Sequence, residues 1–264
     1  MQGETFNLNA AAIAAATGCP SANVERFWPG IQAACLENGL TDRPSVIAVL
    51  ATVGTEVAAF EPINEYGDTD YFTRNYEGRA DLGNTRPGDG ARYHGRGFIQ
   101  ITGRSNYRSY GQKLDVPLED EPELALDPEI ATRILGRYFR DHGIAKAARN
   151  GDWESVRRKV NGGLNGWDRF ISLVERLEKA TDAKGVALEE GAMGPDVVEL
   201  KRLLTAWGKK HPLPKPLRNT PLFGPATTAA VKAFQKASGI QSTGKVGQRT
   251  WDALEAAATA KANQ

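Results

Sequence analysis

Within residues 45 to 60 the apolar side chains Val46, Val49, Leu50, Val53, Val57 and Phe60 recur at helical spacing, and Asp42 and Pro44 precede them as start signals. A stripe this regular has to be buried, so the chain must build a helical core around it. The surrounding sequence agrees. Helices are predicted at about 105 to 113, 128 to 141, 152 to 160 and 167 to 182, and the Ala-rich run at 10 to 16 reads as another. Trp28, Trp153 and Trp167 fall at helical positions and are expected in the core. Strand signals are scarce, so the fold class is mainly α. Residues 61 to 95 break the pattern. Gly67, Gly78, Gly83, Gly88, Gly90 and Gly95 stand there among Asp, Asn and Arg, which predicts a long ordered loop region of the kind that shapes a site.

At 264 residues the chain can hold two modest cores, and 41% hydrophobic with 25% charged residues excludes a mostly disordered polymer. No stretch approaches the roughly 20 uninterrupted apolar residues of a membrane helix, so no stable membrane insertion is expected. The Ala-rich run follows Glu4 and no basic residue, unlike a secretory signal. The net charge of +1 is unevenly divided: residues 1 to 184 hold 22 Lys+Arg against 26 Asp+Glu, and residues 185 to 264 hold 11 against 6. A basic tail concentrates near an anionic polymer, either a bacterial wall or a nucleic acid. Nucleic acid is set aside because the tail's aromatics are Trp207, Phe223, Phe234 and Trp251, three of them in apolar helical patterns rather than interleaved with cations on one face.

The tail also echoes itself. The run from Phe223 to Val231 and the run from Val246 to Leu254 share the form apolar, Gly, two variable residues, Thr, two variable residues, Ala, apolar. Each reads as a turn into a helix, and with the segment from Met193 to Trp207 they predict a three-helix unit. The expected domains are therefore 1 to 181 and 191 to 258, joined by a linker at 182 to 190. Cys19 and Cys35 have neither metal-ligand nor redox spacing and are expected as small buried hydrophobes, a disulfide between them being unforced.

Glycosidic bond cleavage asks for two carboxyl groups, one to protonate the leaving oxygen and one to activate water or attack carbon. Glu56, about 20° beyond the edge of the apolar stripe, and Glu65, in the polar segment that follows, offer contrasting settings for those roles. Further along, Gln100 and Thr102 alternate with Ile99 and Ile101, so both are expected to face one cleft. The glycines of Gly95-Arg96-Gly97 are not a phosphate loop, since no Lys-Ser/Thr follows. A zinc hydrolase would need a ligand cluster that His94, His142 and His211 do not provide, and a Cys-His peptidase would need a local signature around Cys19 or Cys35.

The run Val53-Gly54-Thr55-Glu56-Val57-Ala58-Ala59-Phe60 with Glu65, the run from Tyr93 to Thr102 with Asn106-Tyr107, and Asn161-Gly162-Gly163 with Arg169 resemble the family 19 glycoside hydrolases over about residues 10 to 180. More narrowly they are similar to chitinase-like phage endolysins. The tail resembles the three-helix peptidoglycan-binding domain. The resemblance implies a bilobal, lysozyme-like helical catalytic domain that inverts at the anomeric carbon without a cofactor or metal. In it Glu56 matches the general acid, Glu65 the general base and Thr102 the hydroxyl that holds the attacking water. Gln100, Asn161 and Arg169 match positions that contact sugar or support the acids, and Tyr93 is either a sugar platform or a buried structural tyrosine. Here the two acids stand only nine positions apart and there are two cysteines, unlike plant members with a longer intervening segment and several disulfides. This favours peptidoglycan over chitin as substrate. The resulting expectation is a monomeric muramidase acting on bacterial peptidoglycan, held in a host cytoplasm before lysis. A chitinase and a non-catalytic wall-binding protein are the alternatives.

Overall fold

The computed structural model describes residues 5 to 181 and 187 to 259. In chain order these form β1 (Phe6–Asn7), α1 (Ala10–Thr17), α2 (Ser21–Glu37), α3 (Arg43–Glu56), β2 (Ile63–Asn64), α4 (Thr69–Tyr76), α5 (Asp89–Arg92), β3 (Arg96–Gly97), α6 (Arg104–Leu114) and α7 (Pro128–Asp141). There follow α8 (Ile144–Arg149), α9 (Trp153–Asn161), α10 (Trp167–Thr181), β4 (Ala192–Met193), α11 (Pro195–Gly208), α12 (Pro225–Ala237) and α13 (Gln248–Thr259). Short 3-10 turns occupy Ala80–Leu82 and Pro122–Leu126. The architecture is mainly helical. It divides into two compact units, one of residues 14 to 40 and 44 to 175, the other taking in residues 5 to 13, 41 to 43 and the described chain from 176 onward.

In the larger unit α3 is buried on every side: each residue from Ser45 to Gly54 is inaccessible, and its only charged residues, Arg43 and Glu56, are its first and last. The sequence pattern extends this helix to Phe60. It stops at Glu56, and beyond it the chain turns tightly, Phe60 N–H donating to the Val57 carbonyl at 2.7 Å and Phe60 entering the left-handed region at φ 56° with its ring fully buried. The predicted helices at 128 to 141 and 152 to 160 appear as α7 and α9, each started by an aspartate. Asp127 accepts from the Glu129 and Ile130 N–H groups and Asp152 from that of Ser155. The longest helix, α2, lay outside the segments singled out from sequence because Pro29 and Gly30 interrupt its pattern. Cys19 and Cys35 are buried and form no disulfide with each other.

The expected long loop at 61 to 95 is more structured than its composition suggests. Asp68 caps α4 by accepting from Tyr71 N–H at 2.7 Å, and Phe72 anchors it in the core. Glu77 holds α5 by accepting from Gly88 N–H and Gly90 N–H, each at 2.7 Å. Helices of eight and four residues are too short to show a period, and of the two only α4 has a capping side chain, Asp68, to announce it. On either side of them in the chain, β2 and β3 pair antiparallel, Ile63 opposite Gly97 and Asn64 opposite Arg96.

The smaller unit contains the predicted three helices as α11, α12 and α13, around a core of Val197, Leu200, Leu204, Phe223, Val231, Phe234 and Leu254. The echoed motif becomes one turn used twice. Thr227 N–H donates to the Gly224 carbonyl and Thr250 N–H to the Gly247 carbonyl, both at 2.9 Å. Its extent differs from the predicted one. Leu188 already bridges to Val246, so residues expected in the linker belong to the unit, while residues 182 to 186 lie outside the described residues. The chain's opening residues, expected within the first domain, also belong here. β1 pairs with β4, Phe6 opposite Met193 and Asn7 opposite Ala192, and Asn9 donates to Glu189 at 3.2 Å. Gly194 is required at this junction: at φ 142° it passes so close to Thr5 that a Cβ would lie 2.5 Å from the Thr5 Cα.

Phe6 is 3% exposed. Phe6→Ala is expected to cost about 3 kcal/mol, and its signature is local. Amide exchange at Val231 and Leu254 should accelerate while that at Leu50 stays slow; unchanged exchange at 231 and 254 would show that β1 is dispensable to the smaller unit.

Candidate active site

Glu56 sits at the C-terminus of α3, where its side chain is 18% exposed. One carboxylate oxygen, Oε1, accepts from Nη1 of Arg157, and no described residue donates to the other. Arg157 is 3% exposed, and its Nε also donates to the Asn165 carbonyl at 2.7 Å, so it ties Glu56 to the turn that follows α9. From sequence, Arg157-Arg158-Lys159 reads as a solvated helix face. That holds for Arg158 and Lys159, but Arg157 lies beside buried Val156 on the inward side. It is the neighbour of Glu56 that sequence reasoning missed. Arg169, expected at sugar or in support of the acids, donates through Nε to the Gly54 carbonyl at 3.0 Å. It thereby satisfies one of the carbonyls left open at the end of α3.

Glu65 directly follows β2. Its Oε1 accepts from the Tyr76 hydroxyl at 2.6 Å, its Oε2 from Gly95 N–H at 2.9 Å, and its own N–H donates to the Gly95 carbonyl at 2.8 Å. Burial and the bond to Glu65 push the Tyr76 hydroxyl well above the usual tyrosine range, so it remains a donor. A Cβ at Gly95 would stand 2.9 Å from Gln100 Oε1 and 3.0 Å from Glu65 Oε2, so both side chains would have to move from the positions described. Gln100, at φ 52°, donates to the Ile63 and Gly97 carbonyls at 2.9 and 2.8 Å and so clamps β2 to β3. Thr102 is half-buried, its hydroxyl donating to the Gln100 carbonyl at 3.1 Å.

Glu65, Gly95, Gln100 and Thr102 therefore form one connected group. Glu56, Arg157 and Arg169 form a second, at the other end of the connector 57 to 64. Asn161 closes α9 with an exposed side chain. Tyr93 does not fit a sugar platform. Its ring is 1% exposed, its hydroxyl donates to the Glu119 carbonyl at 2.9 Å and the Arg104 guanidinium lies over its face, so the structural alternative is the correct one. Exposed aromatic surface lies elsewhere, at Tyr66 (87%) and Tyr71 (39%), just after Glu65. No spacing rule distinguishes an exposed loop tyrosine from a buried one.

Two charged networks hold this segment. The buried Arg96 guanidinium donates to the Arg92 and His94 carbonyls and to the Tyr107 hydroxyl, at 3.0 to 3.3 Å, and to Glu123 at 2.6 Å. Arg104 joins buried Asp89 to Glu119, which Arg108 also binds at 2.7 Å. Hydrogen bonds from Arg108, and then from Arg104, hold the Glu119 carboxyl down at about 2 against the opposing effect of burial, and Arg104 lowers Asp89 in the same way. His94 stacks on Phe72 at 4.1 Å, and burial lowers its pKa.

Comparison with known proteins places these features in context. Residues 193 to 254 match the family described as "Putative peptidoglycan binding domain". A "Glycosyl hydrolase family 19 domain-containing protein" of Haemophilus influenzae is 35% identical over 104 residues, 39% of this chain and 50% of that protein, so the match spans half the relative's length. A solved bacterial family 19 chitinase superposes with a TM-score of 0.51 at 19% identity, covering 64% of this chain and 94% of that one. Chitinase C from Streptomyces griseus HUT6037 gives a TM-score of 0.51 at 19% identity over 64% of this chain and 92% of its own. The chain shares the fold of these chitinases.

Two outcomes test the electrostatics. Arg157→Ala leaves Glu56 and the Asn165 carbonyl without their cation and is expected to cost about 3 kcal/mol, read as a lower urea midpoint. An unchanged midpoint would mean that the pair contributes nothing. For Glu119, a folded pKa near 2 lies below its unfolded value near 4.3, so its stabilisation is complete above that value and disappears as pH falls through 2. Glu119→Gln should lower the thermal midpoint at pH 7 and flatten its decline between pH 4 and 2. Parallel wild-type and variant curves would remove Glu119 as a source of acid sensitivity.

Proposed function

We propose that the chain is a family 19-type glycoside hydrolase that cleaves β-1,4 bonds in the glycan strands of bacterial peptidoglycan, with its chemistry in the larger unit and a wall-binding role for the smaller. The observation that carries this reading is the contrast between its two carboxyl groups: Glu56 leans on a buried guanidinium, and Glu65 is held by a hydroxyl and a backbone N–H. Two carboxyl groups in different settings are what acid and base roles require.

In this mechanism Glu56 protonates the leaving glycosidic oxygen through Oε2, the oxygen that Arg157 does not hold. Arg157 then faces the carboxylate left behind and stabilises it. Glu65 accepts a proton from water. Tyr76 and Gly95 occupy one lone pair on each of its oxygens, which leaves others free to orient that water. Thr102 donates its hydroxyl proton to the Gln100 carbonyl, so its oxygen can accept a hydrogen bond from the same water. Attack in a single displacement inverts the anomeric carbon and needs the carboxyl groups about 6.5–9.5 Å apart. Gln100 and Arg169 act as supports, fixing β2 against β3 and the end of α3 respectively, and Asn161 contacts sugar. Stacking falls to Tyr66 in place of Tyr93. A basic wall-binding module in the same chain fits a muramidase of the endolysin kind. Chitin is the second reading, favoured by the likeness of the fold to chitinases.

Release of reducing ends from purified peptidoglycan, with products identified by mass spectrometry, decides between these readings. Wild type is expected to yield muramic-acid reducing ends. Glu56→Gln and Glu65→Gln are each expected to lose about 10²–10⁴-fold in rate while remaining folded, Glu56→Gln with a lowered unfolding midpoint because buried Arg157 loses its counter-charge. Faster cleavage of N-acetylglucosamine oligomers would make the enzyme a chitinase, and release of free amines would overturn the glycosidase reading.

A further inference from the structure

The smaller unit contains a cationic pocket that the proposed glycan chemistry does not use. Its volume is about 440 Å³, and it lies between one face of α11 and the segment 217 to 219. Lys201, Thr205 and Lys209 stand at intervals of four along that face, with Arg202 and Ala206 beside them, while Leu217, Arg218 and Asn219 form the opposite wall. The walls are joined at the base. Lys201 is 6% exposed, and its Nζ donates to the Thr220 carbonyl at 2.9 Å and to the Thr220 hydroxyl at 3.0 Å.

The charge in this pocket is one-sided. From 201 to 219 the chain carries six Lys and Arg and no Asp or Glu. Arg202 is shared with Glu199 at 2.7 Å, whereas neither Lys209 nor Arg218 has an acidic partner among the described residues. Burial lowers the Lys201 ammonium to about 8, so it remains largely cationic at neutral pH. Lys209, at the end of α11, complements the helix dipole, but that role does not account for Arg218 on the facing segment. Three cations thus converge on a space that is also lined by Ala206 and Leu217, and its volume suits a small ligand.

We infer that this pocket binds the free carboxylate end of an alanine-terminated stem peptide of the wall, with Lys209 and Arg218 at the carboxylate, Lys201 beneath it, and Ala206 and Leu217 against the alanine methyl groups. Cations alone would suit any polyanion. The apolar wall favours a peptide end over a phosphate polymer, whose charged groups carry nothing to place against Leu217. Arg218 and Lys209 can each donate charge-assisted hydrogen bonds, and the Asn219 amide is positioned to meet a peptide bond. The inference rests on the reading of the smaller unit as a wall-binding module and makes its ligand specific: stem peptide rather than glycan.

The test is titration of the full chain with diacetyl-lysyl-D-alanyl-D-alanine and with its C-terminal amide, followed by calorimetry, for wild type and for the double variant Lys209→Glu with Arg218→Glu. Both positions are exposed, so the variant should keep the wild-type thermal midpoint. Lys201→Met probes the base; because that change can cost the fold, the rim variant carries the decision. Wild type is expected to bind the acid about tenfold more tightly than the amide, and the double variant should lose this preference. Equal binding of acid and amide, an unaffected double variant, or tighter binding of polyglycerol phosphate than of the peptide would each overturn the proposal. Because the probe contains no sugar, failure here leaves glycan cleavage intact, and a chain that binds the peptide but releases no reducing ends would instead remove the catalytic reading.

Discussion

A helix buried on all sides can carry charge only at its ends, and α3 obeys this constraint throughout. Arg43 opens it, Glu56 closes it, and the residues from Ser45 to Gly54 meet only protein. A carboxyl at such an end leaves an apolar environment abruptly. Burying it alone would be costly, and solvent does not fully reach it. Arg157 and Arg169 resolve this, one at the Glu56 carboxyl and the other at the Gly54 carbonyl. The geometry of the site therefore follows from the packing of the core, with the acid placed where the central helix runs out.

The second carboxyl group is positioned by different means. Glu65 directly follows a two-residue strand that would not hold its shape in isolation. Its rigidity comes from Gln100 clamping the strand pair and from Arg96, whose guanidinium gathers the Arg92 and His94 carbonyls, the Tyr107 hydroxyl and Glu123 around one buried point. Polar groups act here as core in a stretch too rich in glycine to supply apolar side chains. The expectation of a long ordered loop region was correct about the order but missed the two short helices, α4 and α5, within it.

This contrast marks how far the sequence could be read. Where apolar spacing and caps agree, as at Asp127-Pro128 and Asp152, the predicted helices match α7 and α9 to within a residue or so. The three-helix tail was legible because its motif occurs twice. Arg157 was not, since in a run of three cations the sequence alone does not show which one turns inward; the nearby Val156 and Val160 were the available signal. Tyr93 and Tyr66 were indistinguishable for a similar reason. Exposure of an aromatic in a Gly-rich segment depends on tertiary neighbours, here the Glu119 carbonyl that accepts from one and the solvent that surrounds the other. The pairing of β1 with β4 was equally hidden, because two-residue strands far apart in sequence leave no local pattern.

That pairing has a temporal side. Asn7 and Asn9 hydrogen-bond to residues 180 positions further along, so the smaller unit joins parts of the chain that are far apart in sequence. On a ribosome, β1 must wait, unpaired, until β4 has emerged. Contacts of such long sequence separation form late and slowly. The unit that reads as the wall anchor is thus the last to mature, and a translation product that stops short of β4 lacks it altogether.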